Sequence, residues 1–178
     1  LAVGGRRRAS FDAAAKRLSA KGVDDIKFVQ LDLDDAASLE RAVAGRSLVV
    51  HTAGPFQQRT DPTLLKACIA AGVPYCDVCD ELELSRAAKK LTSHCDVPAV
   101  ISCGIWPGAS ALLAARAAER LGKPLDDLEF SFFTSGTGGA GPTIVSATFL
   151  LLCTPAAVYA DGELVEKAAQ MTRDIGRE

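Results

Sequence analysis

Apolar positions along the chain fall into short blocks whose internal spacing alternates between strand-like and helical. Residues 1–6 read as a short buried strand that breaks at paired glycines, and from Phe11 to Leu18 the apolar positions recur at helical spacing. Ser10 is a candidate N-cap for that helix and Gly22 a stop after it. Residues 26–31 form the next strand and run into Asp32-Leu33-Asp34-Asp35. Asp34 or Asp35 can cap a short helix through Leu39 and Val43, which Gly45 closes before a strand over residues 47–51. A helix over 62–71 ended by Gly72, a strand over 75–78, a helix over 82–94 and a strand over 98–103 complete the series.

Short apolar strands separated by single helices imply parallel strands joined by crossovers, because only a crossover returns the chain to start the next parallel strand. The strands are apolar on both faces rather than alternating, as expected when helices cover the sheet on both sides. The predicted class is therefore α/β, a doubly wound parallel sheet. After Gly104 the pattern changes. Pro107 opens an Ala- and Leu-rich helix to Leu121, and residues 128–133 alternate like a strand with one exposed face. A glycine-rich stretch over 135–142, an apolar run to Cys153 and a strand with a turn over 158–162 follow. The expected organisation is one domain over residues 1–104 and the start of an α+β domain with antiparallel strands over 105–178.

Composition narrows the function classes. Apolar residues make up 48% and charged residues 24% of the chain, a globular balance rather than a disordered one. A net charge of -2 gives no general attraction to nucleic acid or to an anionic membrane, so neither is an expected partner. The cluster Arg6-Arg7-Arg8 then becomes informative because it is local. The apolar run over 148–153 is far below the roughly 20 residues that span a bilayer. Cys76, Cys79, Cys103 and Cys153 sit among apolar, strand-like residues, and reduced, mostly buried thiols are expected. No metal site is expected, since Cys76 and Cys79 lack a second close pair of ligands.

Several positions carry candidate chemistry. At the tip of a sheet strand facing an adenosine ribose, an acid would bind the hydroxyls of NAD; Gly5-Arg6-Arg7 offers guanidinium groups instead, which suit a 2′-phosphate and favour NADP over NAD. A solvated basic turn is the alternative. Asp32 and Leu33 end the next strand, where they could face an adenine, although Asp32 also suits a helix cap. Thr52-Ala53-Gly54-Pro55-Phe56 puts small residues at a carboxyl strand end, where backbone can approach a cofactor, or else makes an ordinary turn. Asp77 ends a strand in the same crevice and could orient substrate or the nicotinamide ribose. Trp106, Pro107 and Gly108 lead from the last strand into a helix whose free N–H groups favour an anion, so they could meet substrate; a packed junction anchored by Trp106 fits equally. His51 and His94 receive no role, and no catalytic acid or base is assigned.

The runs Val49-Val-His-Thr-Ala-Gly-Pro-Phe56 and Leu65-Lys-Ala-Cys-Ile-Ala-Ala-Gly-Val-Pro-Tyr-Cys-Asp77, with Glu81, resemble the NADP-binding domain of saccharopine dehydrogenase-like proteins. Gly104-Ile-Trp-Pro-Gly108 and Phe133-Thr-Ser-Gly-Thr-Gly-Gly-Ala-Gly-Pro142 look like the form found in plants and photosynthetic microbes. The resemblance covers nearly the whole chain. It implies a Rossmann-type domain that uses NAD(P), followed by an α+β domain that shapes a small-molecule substrate pocket and forms a homodimer. It also implies a soluble intracellular protein, cytoplasmic or in the plastid stroma. Such proteins open with a strand and a Gly-x-Gly-x-x-Gly turn that binds pyrophosphate, whereas Leu1 begins what looks like the second strand. On that reading the sheet lacks its first strand, the chain is truncated at both ends, and these residues alone are expected to be inactive. The implied reaction is hydride transfer at a C–N bond of an amino-acid-like substrate, with the cofactor supplying the chemistry. The alternative is a non-catalytic nucleotide-binding or scaffold protein that keeps the fold.

Overall fold

The computed structural model describes residues 1–54, 56–133 and 141–168. The chain begins with strand β1 (Ala2–Gly5), helix α1 (Arg8–Ser19) and strand β2 (Lys27–Gln30), and β1 and β2 pair in parallel. Helix α1 starts ahead of Ser10: Arg7, in extended conformation, is the N-cap, without a side-chain hydrogen bond. The earlier start has a local cause. Arg8 Nε pairs with Asp12 Oδ1 at 2.8 Å, and its guanidinium lies over the rings of Phe11 and Phe28. Those rings are 5.2 Å apart between centroids and pack α1 onto β2.

Helix α2 (Ala36–Val43) leads to β3 (Val49–His51), α3 (Thr63–Ala71), β4 (Tyr75–Asp77), α4 (Leu82–Thr92) and β5 (Ala99–Val100). Strands β3, β4 and β5 form a parallel three-stranded sheet in that order. Gly72 ends α3 in the left-handed conformation at φ 67°, which glycine adopts without a steric penalty. Glu81 caps α4 by accepting from the Glu83 N–H. The expected strand over 98–103 shortens to Ala99–Val100, because the Asp77 side chain of neighbouring β4 takes the Ser102 N–H.

The strands thus form two parallel groups, β1-β2 and β3-β4-β5. The pair β1-β2 makes one flank and β3-β4-β5 the other. Among the described residues no strand hydrogen bond joins β1 to β3. Side chains join the flanks instead. Leu39 and Val43 of α2 share a buried cluster with Leu64, Leu65 and Cys68 of α3, Val73, Tyr75 of β4 and Ala88 of α4. Leu31 and Leu33 at the end of β2 pack against the same cluster. Each fully buried leucine there contributes roughly 1.5–3 kcal/mol. Thr63 Oγ1 donates to the Leu33 carbonyl at 3.0 Å, and Arg59 pairs with Asp34 at 3.2 Å.

The chain divides into two compact units, Leu1–Thr52 with Arg59–Ser110, and Ala53–Gln58 with Ala111–Glu178. Helix α5 (Ala109–Leu121) runs from the first unit into the second, which also holds α6 (Pro142–Leu152), β6 (Ala156–Ala160) and β7 (Glu163–Lys167). The apolar run ending at Cys153 is helical, in α6. Strands β6 and β7 pair antiparallel across Asp161 (φ 53°) and Gly162 (φ 80°), a two-residue turn whose twist requires both angles to be positive. Residues 128–133 form no strand: the alternation is present, but no neighbouring strand among the described residues takes up the backbone, and Phe130 stacks on Phe132 instead. The expected glycine-rich stretch falls largely on residues 134–140, outside those described. Among the described residues no helix is long and apolar enough to cross a membrane.

Candidate functional site

Two clusters of the first unit lie at carboxyl strand ends, where open α/β sheets bind their ligands. The first is the corner shared by β1 and β2. The Leu31 N–H donates to the Gly5 carbonyl at 3.0 Å, and Gln30 Nε2 donates to the Arg6 carbonyl at 2.9 Å, so the backbone of the arginine turn is held from the neighbouring strand. Arg6, Arg7 and Arg8 are all exposed. Arg8 is engaged by Asp12 and the two phenyl rings. The side chains of Arg6 and Arg7 have no hydrogen-bond or ion-pair partner among the described residues. Helix α1, which begins directly after them, has no acidic residue in its first turn. Two cationic groups and a helix N-terminus thus face solvent together, a setting that favours an anion.

Asp32 and Leu33 stand beside this corner. The Asp32 N–H donates to Ser38 Oγ at 3.0 Å, and Asp32 Oδ1 accepts from the Asp34 N–H at 3.2 Å, so Asp32 shapes its own turn rather than capping α2. Asp35 occupies the N-cap position of α2 without a side-chain hydrogen bond. Leu33 is half-buried against the core.

The second cluster surrounds Asp77, which is 4% exposed. Its Oδ1 accepts from the Ser102 N–H at 2.7 Å and from the Cys79 N–H at 3.1 Å, and its Oδ2 accepts from the Tyr75 hydroxyl at 3.0 Å. Because the Tyr75 proton goes to Asp77, His51 Nδ1, 2.9 Å from the same hydroxyl, is the donor in its contact with Tyr75. Protons thus point one way along the buried chain His51, Tyr75, Asp77. Burial first, then the adjacent Asp77, raise the Tyr75 phenol far above its ordinary range and keep it protonated.

Asp77 also explains the shortened β5. A regular parallel ladder would bring the Ser102 N–H to the Asp77 carbonyl, but the side-chain oxygen takes it, and Cys103 N–H donates to that carbonyl at 2.9 Å instead. One extra residue enters the strand at Ser102, whose φ is 57°: a bulge tied down by a carboxyl group. The Ser102 hydroxyl is further held by Ser85 Oγ at 2.9 Å. Immediately beyond, the chain turns tightly through a cis Trp106–Pro107 bond, and a bridge joins Gly104 to Gly108. The Ala109 and Ser110 N–H groups donate to the Gly104 and Ile105 carbonyls at 2.9 and 3.1 Å, so part of the α5 N-terminus is satisfied by the turn itself. Trp106 and Pro107 remain exposed.

The predicted site residues are therefore grouped as follows. Gly5, Arg6, Arg7, Asp32 and Leu33 share one corner; Thr52, Asp77 and the Trp106–Gly108 turn lie around the ends of β3, β4 and β5. Thr52 is exposed, as are Ala53 and Gly54, whereas Phe56 is buried; Pro55 is outside the described residues. The run from Thr52 to Phe56 does not stay in one unit, since Ala53–Gln58 belongs to the second. The expectation of mostly buried thiols is corrected: Cys68 and Cys79 are buried, but Cys103 and Cys153 are exposed, because the bulge carries Cys103 out of the strand and Cys153 ends a helix rather than lying in a strand. Cys76 and Cys79 do not act as a pair, for Cys79 Sγ instead accepts from Ser85 and donates to the Glu81 carbonyl.

Sequence reasoning missed Tyr75, Ser102 and Gln57. Tyr75 and Asp77 share a strand face, and parallel register sets His51 beside Asp77, so that chain was readable once the pairing was known. The left-handed Ser102 has no signature in its residue type. Gln57 is 6% exposed and has no partner for its amide among the described residues, an isolated feature that pattern reading does not reveal. Residues 136–141, Gly-Thr-Gly-Gly-Ala-Gly, do carry the spacing of a dinucleotide fingerprint. Their context differs from it: no strand forms over 128–133, and α6 leads into an antiparallel hairpin rather than a parallel crossover.

Parallel strands joined by helices, with a cationic corner at the end of β1, define the class: a Rossmann-like nucleotide-binding domain. Residues 1–104 match the family model described as the saccharopine dehydrogenase NADP binding domain. The chain belongs to that family, one of NADP-dependent oxidoreductases. No curated protein matches it.

Proposed function

We propose that the protein transfers hydride between NADP(H) and a carbon bonded to nitrogen in an amino-acid-like substrate, and that Arg6 and Arg7 select the cofactor's 2′-phosphate. The observation that supports this most directly is the pair of exposed guanidinium groups at the carboxyl end of β1, with no acid beside them to bind an unphosphorylated ribose. The donor set fits the group. Gly5 leaves open space at the end of β1, where a Cβ would meet nothing within 4 Å, and Asp32 and Leu33 border the adenine side of the corner. Bound NADPH supplies the hydride, and the chain's own residues hold and orient. Asp77 acts through backbone, fixing the Ser102 bulge and with it the turn that presents Trp106, Pro107 and Gly108 to substrate. Thr52, at the carboxyl end of β3, completes the binding residues of the first unit. The domains follow as residues 1–104 for cofactor and 105–178 for substrate and homodimer contacts.

The test is a fluorescence titration with NADPH and NADH on the protein and on Arg6→Ala, Arg7→Ala and the double variant, with a screen of amine and keto-acid pairs for NADPH oxidation. Each lost charge-assisted contact is worth about 1.5–3 kcal/mol, so NADPH affinity should fall about tenfold to a hundredfold per arginine while NADH affinity stays level. Equal losses for both cofactors would remove the 2′-phosphate assignment. Tight NADPH binding by the full-length protein without turnover of any pair would leave a nucleotide-binding scaffold.

A further inference from the structure

The sequence draws attention to Cys76 and Cys79, but the fold brings Cys76 to a different thiol. Cys103 Sγ lies 2.8 Å from the carbonyl oxygen of Asp77, the residue after Cys76, and 3.9 Å from that of Val100, the cross-strand partner of Cys76. The displacement of Cys103 by the Ser102 bulge creates this arrangement, which a regular β5 would not have. We propose that Cys76 and Cys103, held at the carboxyl end of the β4–β5 pair, are an oxidisable dithiol that a peroxide closes to a disulfide. The inference is independent of the hydride-transfer reading.

Accessibility agrees with the pairing. Cys103 is exposed and Cys76 half-buried, whereas Cys68 and Cys79 are 0% and 1% exposed and closed to solvent reagents. Burial first, then the charge and hydrogen bonding of the neighbouring Cys103 thiol, push the Cys76 thiol up, which suits Cys103 as the first sulfur to react and Cys76 as the one that resolves it. The Cys103 thiolate attacks one peroxide oxygen; the O–O bond breaks, water leaves and a sulfenic acid remains. The Cys76 sulfur then attacks the sulfenic sulfur, the S–O bond breaks, and the hydroxyl departs as water with the remaining proton. Two thiols lose two electrons and two protons, and one hydrogen peroxide becomes two waters.

The experiment treats the full chain, under native conditions, with hydrogen peroxide, alkylates the remaining thiols and maps the peptides without reduction. Two of the six thiols should disappear, with a Cys76–Cys103 link located by fragmentation. Cys76→Ser and Cys103→Ser should each abolish the link, while Cys79→Ser and Cys95→Ser should keep it. Because the link is located in the unaltered protein, the reading does not depend on how any variant folds. A link between other cysteines, or six alkylatable thiols after treatment, would overturn the proposal.

Discussion

Replacing Asp77 by alanine is expected to destabilise the first unit by about 3–5 kcal/mol, a large share of the roughly 5–15 kcal/mol that holds an ordinary domain together. The side chain accepts from the Ser102 N–H, the Cys79 N–H and the Tyr75 hydroxyl, and alanine leaves these donors without their acceptor beneath a nearly closed surface. Asparagine should cost only about 1 kcal/mol. Its oxygen can still take the two backbone N–H groups. Its amide then donates to the Tyr75 oxygen, the Tyr75 proton turns toward His51, and His51 adopts the other tautomer, so the whole chain of hydrogen bonds reverses. Urea unfolding of the two variants separates these outcomes. Equal losses for alanine and asparagine would show that the tyrosine contact cannot reverse.

The second large effect is expected at Gly108. Its φ is 128°, a conformation that side chains other than glycine rarely adopt, and an added Cβ would run into the Gly104 carbonyl oxygen and backbone nitrogen. Strain of about 1–3 kcal/mol from the backbone adds to overpacking of similar size, so Gly108→Ala should lose about 3–5 kcal/mol in thermal unfolding. Gly5→Ala is the control, because a Cβ there meets nothing within 4 Å; its melting temperature should move little. Little change in Gly108→Ala would mean that the turn can open without disturbing β5.

The alternation of apolar strands and helices was readable because burial on both faces leaves a strong imprint: the blocks ending at Arg6, Leu31, His51 and Val78 end within one residue of the observed strands. Gly72 was readable as a stop because its left-handed φ is a property of the residue itself. Boundaries failed where a tertiary contact outweighed local preference. Arg8 extended α1 past Ser10 through its contacts with Asp12, Phe11 and Phe28, and Asp77 cut β5 short through Ser102. Residues 128–133 had the right period but no partner strand, and period alone cannot supply one. In the candidate site, the arginine corner was legible from residue types at a strand end, whereas the Tyr75–Asp77 chain and the Cys76–Cys103 approach depend on register across strands far apart in sequence.

The uneven core has a consequence for how ligand and fold are coupled. The large buried cluster joins α2, α3, α4 and β4, while the flank made of β1, α1 and β2 rests on Phe11 and Phe28 and on the half-buried Leu31 and Leu33. Amide protons of β1 and β2 should therefore exchange with solvent well before those of β3 and β4, by opening of that flank alone. The arginines sit on this loosely held part. On the proposed assignment of the cofactor's phosphate to these arginines, binding would close the opening equilibrium as well as fill a site, and the cofactor would act as a structural member of the flank that recognises it.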